Sequence, residues 1–279
     1  MLDGIFDLTG RTALVTGGSR GIGRMIARGF LEQGATVYIC ARKREACDAA
    51  AAALDAEAAA LDAARAPGRA ARCISLPADL SSVQGARDLA ARLAALAPRL
   101  DILVNNAGAA WAAPFDDFPE SGWDKVVDLN LKSPFFLTQA LAAQLRAAAS
   151  PARPAKVINI ASIDGIFVNP LETYPYAASK AGLIHLTRRM AARLAREHIV
   201  VTAIAPGPFG SDMNRDARDQ PDAVAARVPV GRVGRDEDMA AAAVYLASRA
   251  GDYVVGATLT VDGGVAFART GFDGERWEG

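Results

Sequence analysis

Short runs of apolar, largely β-branched residues alternate with longer amphipathic stretches through most of this sequence. Seven runs have the length of strands, and they are almost wholly apolar, which is typical of parallel strands covered on both faces. They are Thr12–Thr16, Thr36–Cys40, Cys73–Leu76, Ile102–Val104, Val157–Ile160, Val200–Ile204 and Thr258–Val261. The stretches between them are long enough for crossover helices, among them Ile22–Gln33, Arg44–Arg65, Val83–Ala97 and Trp123–Ala149. This repetition predicts an α/β fold, a doubly wound seven-stranded parallel sheet with helices on both faces.

Composition limits the classes of partner. The chain has 279 residues, is 51% hydrophobic, and carries 31 basic and 31 acidic residues, so it lacks the basic excess expected of proteins that bind nucleic acid or anionic membranes. No apolar run approaches the roughly 18 residues needed to span a bilayer, and Met1–Gly10 has no secretory pattern. Cys40, Cys47 and Cys73 form neither a paired framework nor a metal motif. We therefore expect a cytoplasmic protein with no disulfide, catalytic metal, membrane partner or nucleic-acid partner.

A glycine-rich turn directly follows the first predicted strand and opens the first predicted helix. Residues 16–23 read Thr-Gly-Gly-Ser-Arg-Gly-Ile-Gly. Glycines let the backbone turn sharply and approach a pyrophosphate, whose charge then lies at the helix N-terminus. Alone, the same turn also suits an ordinary strand-to-helix connection.

Together with later motifs, this turn resembles the short-chain dehydrogenase/reductase family. The later motifs are Asn105-Asn106-Ala107-Gly108, Tyr176-x-x-x-Lys180, Pro206-Gly207 and Val261-Asp262-Gly263-Gly264. The resemblance covers residues 8–264 and implies a single-domain Rossmann fold for hydride transfer between a nicotinamide cofactor and a carbonyl or alcohol carbon. It implies one domain over 1–279, with a cofactor half at about 8–150, a substrate and catalytic half at about 151–264, and a tail at 265–279.

Charge at the end of the second predicted strand favours NADP(H) as the cofactor. A carboxylate there would bind the ribose hydroxyls of NAD and repel a 2′-phosphate, but the strand runs into Ala41-Arg42-Lys43. Arg42 and Arg20 would offer two guanidiniums to that phosphate. The resemblance implies that the other cofactor contacts are Gly17, Ser19, Gly21, Ile22, Gly23, Asp79, Leu80, Asn106, Ala107, Gly108, Tyr176, Lys180, Pro206, Gly207 and Ser211.

Tyr176 and Lys180 are spaced to share one face of a helix. The pKa of a free tyrosine is roughly 10, and a neighbouring ammonium is expected to lower it. The resemblance implies that Tyr176 donates a proton to the substrate oxygen and that Lys180 holds the nicotinamide ribose. It further implies that Ser162 hydrogen-bonds the substrate oxygen and that Asn130 anchors a water beside the lysine. Each of the four residues, taken singly, also suits a structural role.

One nearby tyrosine and two histidines are not expected to take part in catalysis. Tyr174 has Ala178 four positions later rather than a lysine. His185 is five positions from Lys180 and is therefore turned off the catalytic face, and His198 follows the helix. We expect both histidines to be structural.

The substrate must be inferred from finer resemblance, because the chemistry is shared across the family. Pro77–Ser82, Leu100–Gly108 and Val157–Ile160 are similar to bacterial 3-oxoacyl-[acyl-carrier-protein] reductases, including a rhamnolipid-linked subgroup. A small carbonyl substrate, carried as an acyl thioester, is the first hypothesis. An NADP-dependent dehydrogenase of sugar acids or other secondary alcohols is the alternative. A catalytically silent NADP(H)-binding protein is a third hypothesis, although it would be expected to lack Tyr176 or Lys180.

Two further expectations follow from the resemblance. Segment Asp212–Val228, which carries Arg215, Arg218 and Arg227, resembles a mobile lid over the substrate. The predicted helices Trp123–Ala149 and Pro175–Glu197 resemble those that pair across a two-fold axis in this family. We therefore expect a homodimer or homotetramer.

Overall fold

The computed structural model describes residues 4–65 and 71–268, with side chains omitted for 62–65. The sequence also predicts a turn at Pro67-Gly68, which lies outside this part of the chain, as do residues 269–279 of the predicted tail. The described strands form one parallel sheet in the order β3-β2-β1-β4-β5-β6-β7, which confirms the predicted fold class. They are β1 (Thr12–Thr16), β2 (Thr36–Cys40), β3 (Arg72–Ser75), β4 (Ile102–Asn105), β5 (Ala155–Ile160), β6 (Ile199–Pro206) and β7 (Thr258–Val261).

Helices cover both faces of the sheet. They are α1 (Gly21–Glu32), α2 (Arg44–Arg65), α3 (Val83–Leu96), α4 (Glu120–Val127), α5 (Ser133–Ala140), α6 (Ala142–Ala148), α7 (Tyr174–Leu194), α8 (Arg215–Asp219), α9 (Pro221–Ala225) and α10 (Asp236–Ala247). Successive β1 side chains enter opposite cores, because side chains alternate across a strand. Val15 packs in the core with α1, α2 and α10, whereas Leu14 packs in the core with α3, α5, α6 and α7.

The helix predicted over Trp123–Ala149 is divided in the structure, which corrects its predicted continuity. It begins at Glu120 and passes through a π-helical turn at Asp128–Lys132 before α5 and α6. Pro134 stands at the start of α5 and has no N–H to complete an ordinary helical bond to the residue four positions earlier. That earlier residue is Asn130, so the irregular turn lies at one of the predicted site residues.

The carboxyl ends of the strands form the functional edge of the sheet. Chain order reverses on the two sides of β1, which has β2 on one side and β4 on the other. Open α/β sheets bind ligands outside the carboxyl ends of strands at such a reversal. At the opposite edge, buried Lys156 pairs with half-buried Asp252 at 2.7 Å, and Arg11 and Asp101 form a buried pair at 3.4 Å.

Candidate active site

Thr16 joins the glycine turn to the end of β4. Its hydroxyl accepts the backbone N–H groups of Asn106 and Ala107, both at 2.9 Å. It donates to the Val104 carbonyl at 3.2 Å. The Asn106 side chain in turn donates to the Thr16 carbonyl at 2.8 Å. These bonds lock the two motifs, predicted separately from sequence, into one surface.

Close backbone approach explains why glycine is required in the turn. Gly17 has φ of +66°, and a Cβ on it would lie 2.7 Å from the Asn106 amide nitrogen. A Cβ on Gly23 would lie 2.3 Å from the Gly17 carbonyl oxygen. The first turn of α1 receives no side-chain cap from Arg20. Ser19 and Ile22 are half-buried beside it, which leaves an open helix N-terminus suited to an anion.

The Arg20 guanidinium is engaged by the lid segment. It pairs with one oxygen of Asp212, and Arg218 binds the other oxygen at 2.5 Å. Arg42 is exposed just beyond β2. The sequence analysis did not predict this contact. The Asp212 carboxylate competes with the 2′-phosphate of the cofactor for the Arg20 guanidinium.

The remaining residues assigned to the cofactor line the same edge. Asp79 is exposed and accepts the Ser81 N–H at 2.9 Å, while Leu80 is buried. Gly207 donates its N–H to the Val261 carbonyl at 3.0 Å. A Cβ on Gly21 would approach Ser211 within 3.2 Å, and a Cβ on Gly108 would approach the Asn130 oxygen within 3.1 Å.

Three of the four predicted catalytic side chains converge at the end of β5 and the start of α7. Ser162 follows β5 and hydrogen-bonds Tyr176. Lys180 is buried; its ammonium donates to the Ile160 carbonyl at 2.7 Å and lies 5.6 Å from the centre of the Tyr176 ring. Tyr174 instead donates to Glu172 at 3.0 Å, and His185 and His198 are exposed.

The expected lowering of the Tyr176 pKa is wrong for this structure. Burial raises the pKa of Tyr176 to about 12, and the Ser162 hydrogen bond opposes that rise. Burial also lowers the pKa of Lys180 to about 8. The ammonium is bonded to a backbone carbonyl and faces the ring, so desolvation outweighs its effect on the phenol.

The Asn130 side chain makes three hydrogen bonds within the protein. It accepts the Ala109 N–H at 2.8 Å and donates to the Ala109 carbonyl at 2.9 Å. It also donates to the Ser179 hydroxyl at 3.1 Å, and Ser179 donates to the Tyr176 carbonyl at 2.8 Å. Asn130 thus connects the loop after β4 to the helix that carries Tyr176 and Lys180.

A buried amide chain beneath the site was missed by sequence reasoning. Asn105 donates to the Thr138 hydroxyl at 3.2 Å and to the Asn159 oxygen at 2.8 Å. Asn159 donates to the Thr187 hydroxyl at 2.9 Å. The chain joins β4, β5, α5 and α7. The signal was available, since Asn105 directly follows the apolar run Ile102–Val104 and Asn159 interrupts the apolar run Val157–Ile160.

Asp164 was also missed by sequence reasoning. It lies in the 3₁₀ turn Ile163–Gly165 and donates its backbone N–H to the Ser162 hydroxyl at 3.1 Å. Burial raises the pKa of its carboxyl, opposed by a hydrogen bond from Asn169 and by the Lys180 ammonium. Its position two residues after Ser162 was the available signal.

The three cysteines are free and buried, and burial raises the pKa of Cys40 and of Cys73 to about 12. Within residues 4–65 and 71–268, no group of three or more His, Cys, Asp or Glu residues could hold a metal ion. No helix in that part of the chain is long and apolar enough to cross a membrane.

Comparison with known proteins identifies similar chains over nearly the whole length. The family model described as enoyl-(acyl carrier protein) reductase matches residues 17–266. The rhamnolipids biosynthesis 3-oxoacyl-[acyl-carrier-protein] reductase of Pseudomonas aeruginosa is 49% identical over 262 residues, covering 93% of this chain and 97% of that protein. The 2-dehydro-3-deoxy-D-gluconate 5-dehydrogenase of Dickeya dadantii is 36% identical over 269 residues, covering 95% and 98%. A solved Pseudomonas aeruginosa RhlG/NADP active-site complex superposes with a TM-score of 0.87 at 48% identity, covering 94% of this chain and 99% of that one.

Proposed function

The chain belongs to the short-chain dehydrogenase/reductase family, and from that premise we propose that it is an NADPH-dependent 3-oxoacyl-[acyl-carrier-protein] reductase. The observation that carries the proposal is the convergence of Ser162, Tyr176 and Lys180 beside the glycine turn, in a chain that is 49% identical to a reductase of this kind. Hydride transfer to the 3-oxo carbon, with a proton delivered to its oxygen, would yield the 3-hydroxyacyl thioester.

The residues of the carboxyl edge fit a dinucleotide. Gly17 and Gly23 allow a backbone approach that a Cβ would prevent, and the uncapped start of α1 suits a pyrophosphate. Arg20 and Arg42 would bind the 2′-phosphate of NADP(H), and Ser211 and Gly207 would contact the nicotinamide end. We assign residues 8–150 to cofactor binding and 151–264 to substrate binding and catalysis.

The chain's own residues supply the proton and fix the substrate oxygen. NADPH supplies the hydride when it is bound. Tyr176 would donate its phenolic proton to the carbonyl oxygen, where the negative charge develops, and Ser162 would hydrogen-bond the same oxygen. Lys180 would hold the nicotinamide ribose. Asn130 would keep α7 aligned with the loop after β4 and anchor the water that returns a proton.

Dehydrogenation of a sugar acid is the second candidate function. The similarity to 2-dehydro-3-deoxy-D-gluconate 5-dehydrogenase supports it, as does the polar pair Asp164 and Asn169 beside the site, since both side chains can bind hydroxyl groups. The greater identity to the 3-oxoacyl reductase favours the acyl substrate. The presence of both Tyr176 and Lys180 argues against a silent NADP(H)-binding protein.

We further propose a cytoplasmic homotetramer or homodimer whose substrate is an acyl thioester. Three free, buried cysteines suit a reducing compartment. The balanced charge of the chain supports a small-molecule substrate over nucleic acid.

The deciding experiment is NADPH oxidation, followed by absorbance, with matched sets of substrates. One set contains 3-oxoacyl thioesters on acyl carrier protein and on coenzyme A, and the other contains keto-sugar acids. We expect the highest kcat/KM for a 3-oxoacyl thioester. Preference for a keto-sugar acid would transfer the assignment to the second candidate, and no turnover with either set would contradict the proposed function.

A further inference from the structure

Glu172 connects the loop after β4 to the start of α7, and the reaction proposed above does not use it. Its backbone carbonyl accepts the Ala113 N–H at 3.3 Å. Its carboxylate oxygen Oε1 accepts both the Phe115 N–H at 3.3 Å and the Tyr174 hydroxyl at 3.0 Å. We call these bonds the Glu172 clasp, because they hold two segments together that are distant in sequence.

Aromatic rings pack across the same clasp. The Tyr174 ring lies edge-on to Phe115, with ring centres 5.6 Å apart, and to Phe118, with ring centres 5.8 Å apart. Such edge-to-face pairs are stabilising beyond the area that they bury. Phe115 is still 71% exposed, and Leu171, next to Glu172, is 68% exposed. The clasp therefore fixes a surface of apolar side chains that remains open to solvent.

The loop after β4 is anchored separately nearer to its start. Asn130 exchanges hydrogen bonds with the backbone of Ala109. Trp111 lies against α4, since a Cβ on Gly122 would be 2.9 Å from its ring, and the Lys125 ammonium is 5.0 Å from the centre of that ring. These contacts hold the first part of the loop, and the Glu172 clasp ties its later part to α7.

The clasp lies on the two loops that border the candidate active site. Strands β4 and β5 are parallel neighbours, so the loops that follow them flank the same part of the carboxyl edge. The second of these loops begins after β5 with Ser162, and Tyr176 follows Tyr174 by two residues on α7. A substrate whose oxygen reaches Ser162 and Tyr176 is therefore bordered by both loops. The apolar surface beside them suits a hydrocarbon chain better than a hydroxylated one.

We propose that Glu172 is a positioning residue for substrate binding, whose carboxylate holds the two loops together and so presents Phe115 and Leu171 to the acyl chain. An interaction with a remote part of the substrate is made in the ground state and in the transition state alike. Its loss should raise KM and leave kcat unchanged. The choice of an acyl chain rests on the proposed function, whereas the role of Glu172 in holding the loops does not.

The kinetic test compares wild type with Glu172→Ala. Glu172 is exposed, so this substitution leaves both cores intact. We expect KM for 3-oxooctanoyl coenzyme A to rise roughly tenfold, as for the loss of two hydrogen bonds. KM for 3-oxobutanoyl coenzyme A should rise less, because its chain offers less apolar surface. The kcat values and the affinity for NADPH should hardly change.

A structural test needs no turnover. Hydrogen–deuterium exchange, followed by mass spectrometry, is measured on the same proteins without substrate. The peptide that contains Phe115 should exchange faster in Glu172→Ala, because its N–H loses the carboxylate acceptor. Peptides of β1 and β5 should exchange as in wild type.

Matched variants separate the clasp from general effects. Glu172→Gln keeps an acceptor oxygen and should restore most of the wild-type KM and exchange. Tyr174→Phe removes one of the two donors and keeps the ring, so its KM should lie between those of wild type and Glu172→Ala. Asp117→Asn removes an exposed carboxylate from the 3₁₀ turn Phe115–Asp117 and should change neither KM nor exchange.

The outcomes are distinct. Equal KM values for 3-oxooctanoyl coenzyme A in wild type and Glu172→Ala would overturn the inference, as would unchanged exchange at Phe115. Parallel losses in kcat, KM and NADPH affinity would also overturn it, because they would indicate a general disturbance of the fold. If wild type reduced neither thioester, the proposed function would be rejected. Faster exchange in Glu172→Ala would then still support Glu172 as the residue that holds the loops, and unchanged exchange would reject both.

Discussion

At the scale of single residues, Tyr176 holds the proton on which the proposed reduction depends. Burial raises the pKa of Tyr176 to about 12, so the phenol stays protonated at neutral pH. Tyr176→Phe keeps the ring and its packing but removes this proton. We expect kcat to fall by roughly 10²–10⁴, the usual loss for a general acid, with NADPH affinity almost unchanged. Steady-state kinetics and fluorescence titration of NADPH would measure both.

Tyr174→Phe is the matched control for this prediction. Tyr174 begins the same helix, but its hydroxyl is bonded to Glu172 at 3.0 Å and its ring packs against Phe115 and Phe118. Its loss should leave kcat close to wild type. Near-normal turnover by Tyr176→Phe, or equal losses in the two variants, would show that the proton donor is another group.

The site residues were predictable from sequence to different degrees for physical reasons. The spacing of Tyr176 and Lys180 fixes their shared helical face, so their proximity followed directly. The electrostatic effect between them did not, because desolvation depends on everything packed around both groups. Asp164 was missed for a different reason: one acidic residue in a turn has no periodic signature, and its place two residues after Ser162 was the cue that the sequence offered.

At the scale of elements, the contact between α1 and the lid segment bears on cofactor choice. Asp212 holds Arg20, while Arg42 extends from the end of β2. We predict that Arg20→Ala and Arg42→Ala each weaken NADPH binding about tenfold, the lower range for charge-assisted bonds, because both side chains are exposed. NADH affinity should hardly change, since NADH lacks the 2′-phosphate. Titration of both cofactors tests this.

The substitution Asp212→Asn should strengthen NADPH binding, in contrast to the two arginine substitutions. Releasing Arg20 from an exposed ion pair contributes up to about 1 kcal/mol, so NADPH affinity should rise no more than about fivefold. Asp219→Asn is the control, because it removes a partner of Arg218 at 2.7 Å and leaves the Asp212 pair in place. If NADPH and NADH bound equally tightly to wild type, the assigned phosphate site would be wrong.

The division of the predicted helix Trp123–Ala149 could not be predicted from the hydrophobic period of the sequence. The run over Trp123–Ala149 has a helical period throughout, so a single helix was expected. The π-helical turn at Asp128–Lys132 depends on Pro134 and on the bonds that Asn130 makes to Ala109 and Ser179. Those partners are distant in sequence, and a local pattern does not report them.

At the scale of the whole molecule, alternation of apolar runs and amphipathic stretches was sufficient to predict the sheet. Strands buried on both faces must be joined by crossover helices, and right-handed crossovers leave few possible strand orders. The ion pair between Asp212, in the irregular segment after β6, and Arg20, at the N-cap of α1, could not be predicted in this way. It depends on the path of an irregular segment across the finished fold.

Helices α5 and α7, which belong to the two segments expected to pair in an assembly, both carry exposed residues. Gly182 of α7 packs closely against Leu131, where a Cβ would lie 3.1 Å from the leucine side chain. Phe135 of α5 is 38% exposed, and Ala181 of α7 is exposed. An exposed aromatic ring on α5 and an exposed small residue on α7 both suit pairing with the same surfaces of a second copy, which is how two-fold interfaces are built.

We predict that the wild-type chain has the mass of a dimer or tetramer by light scattering at micromolar concentration. Phe135→Glu should lower that mass, because two-fold symmetry would bring two carboxylates into one apolar interface. Leu96→Glu is the matched control, since Leu96 is 58% exposed as the last residue of α3 and belongs to neither α5 nor α7, and its variant should keep the wild-type mass. A monomeric wild type would contradict the assembly, and equal loss of mass in both variants would show that the interface lies elsewhere.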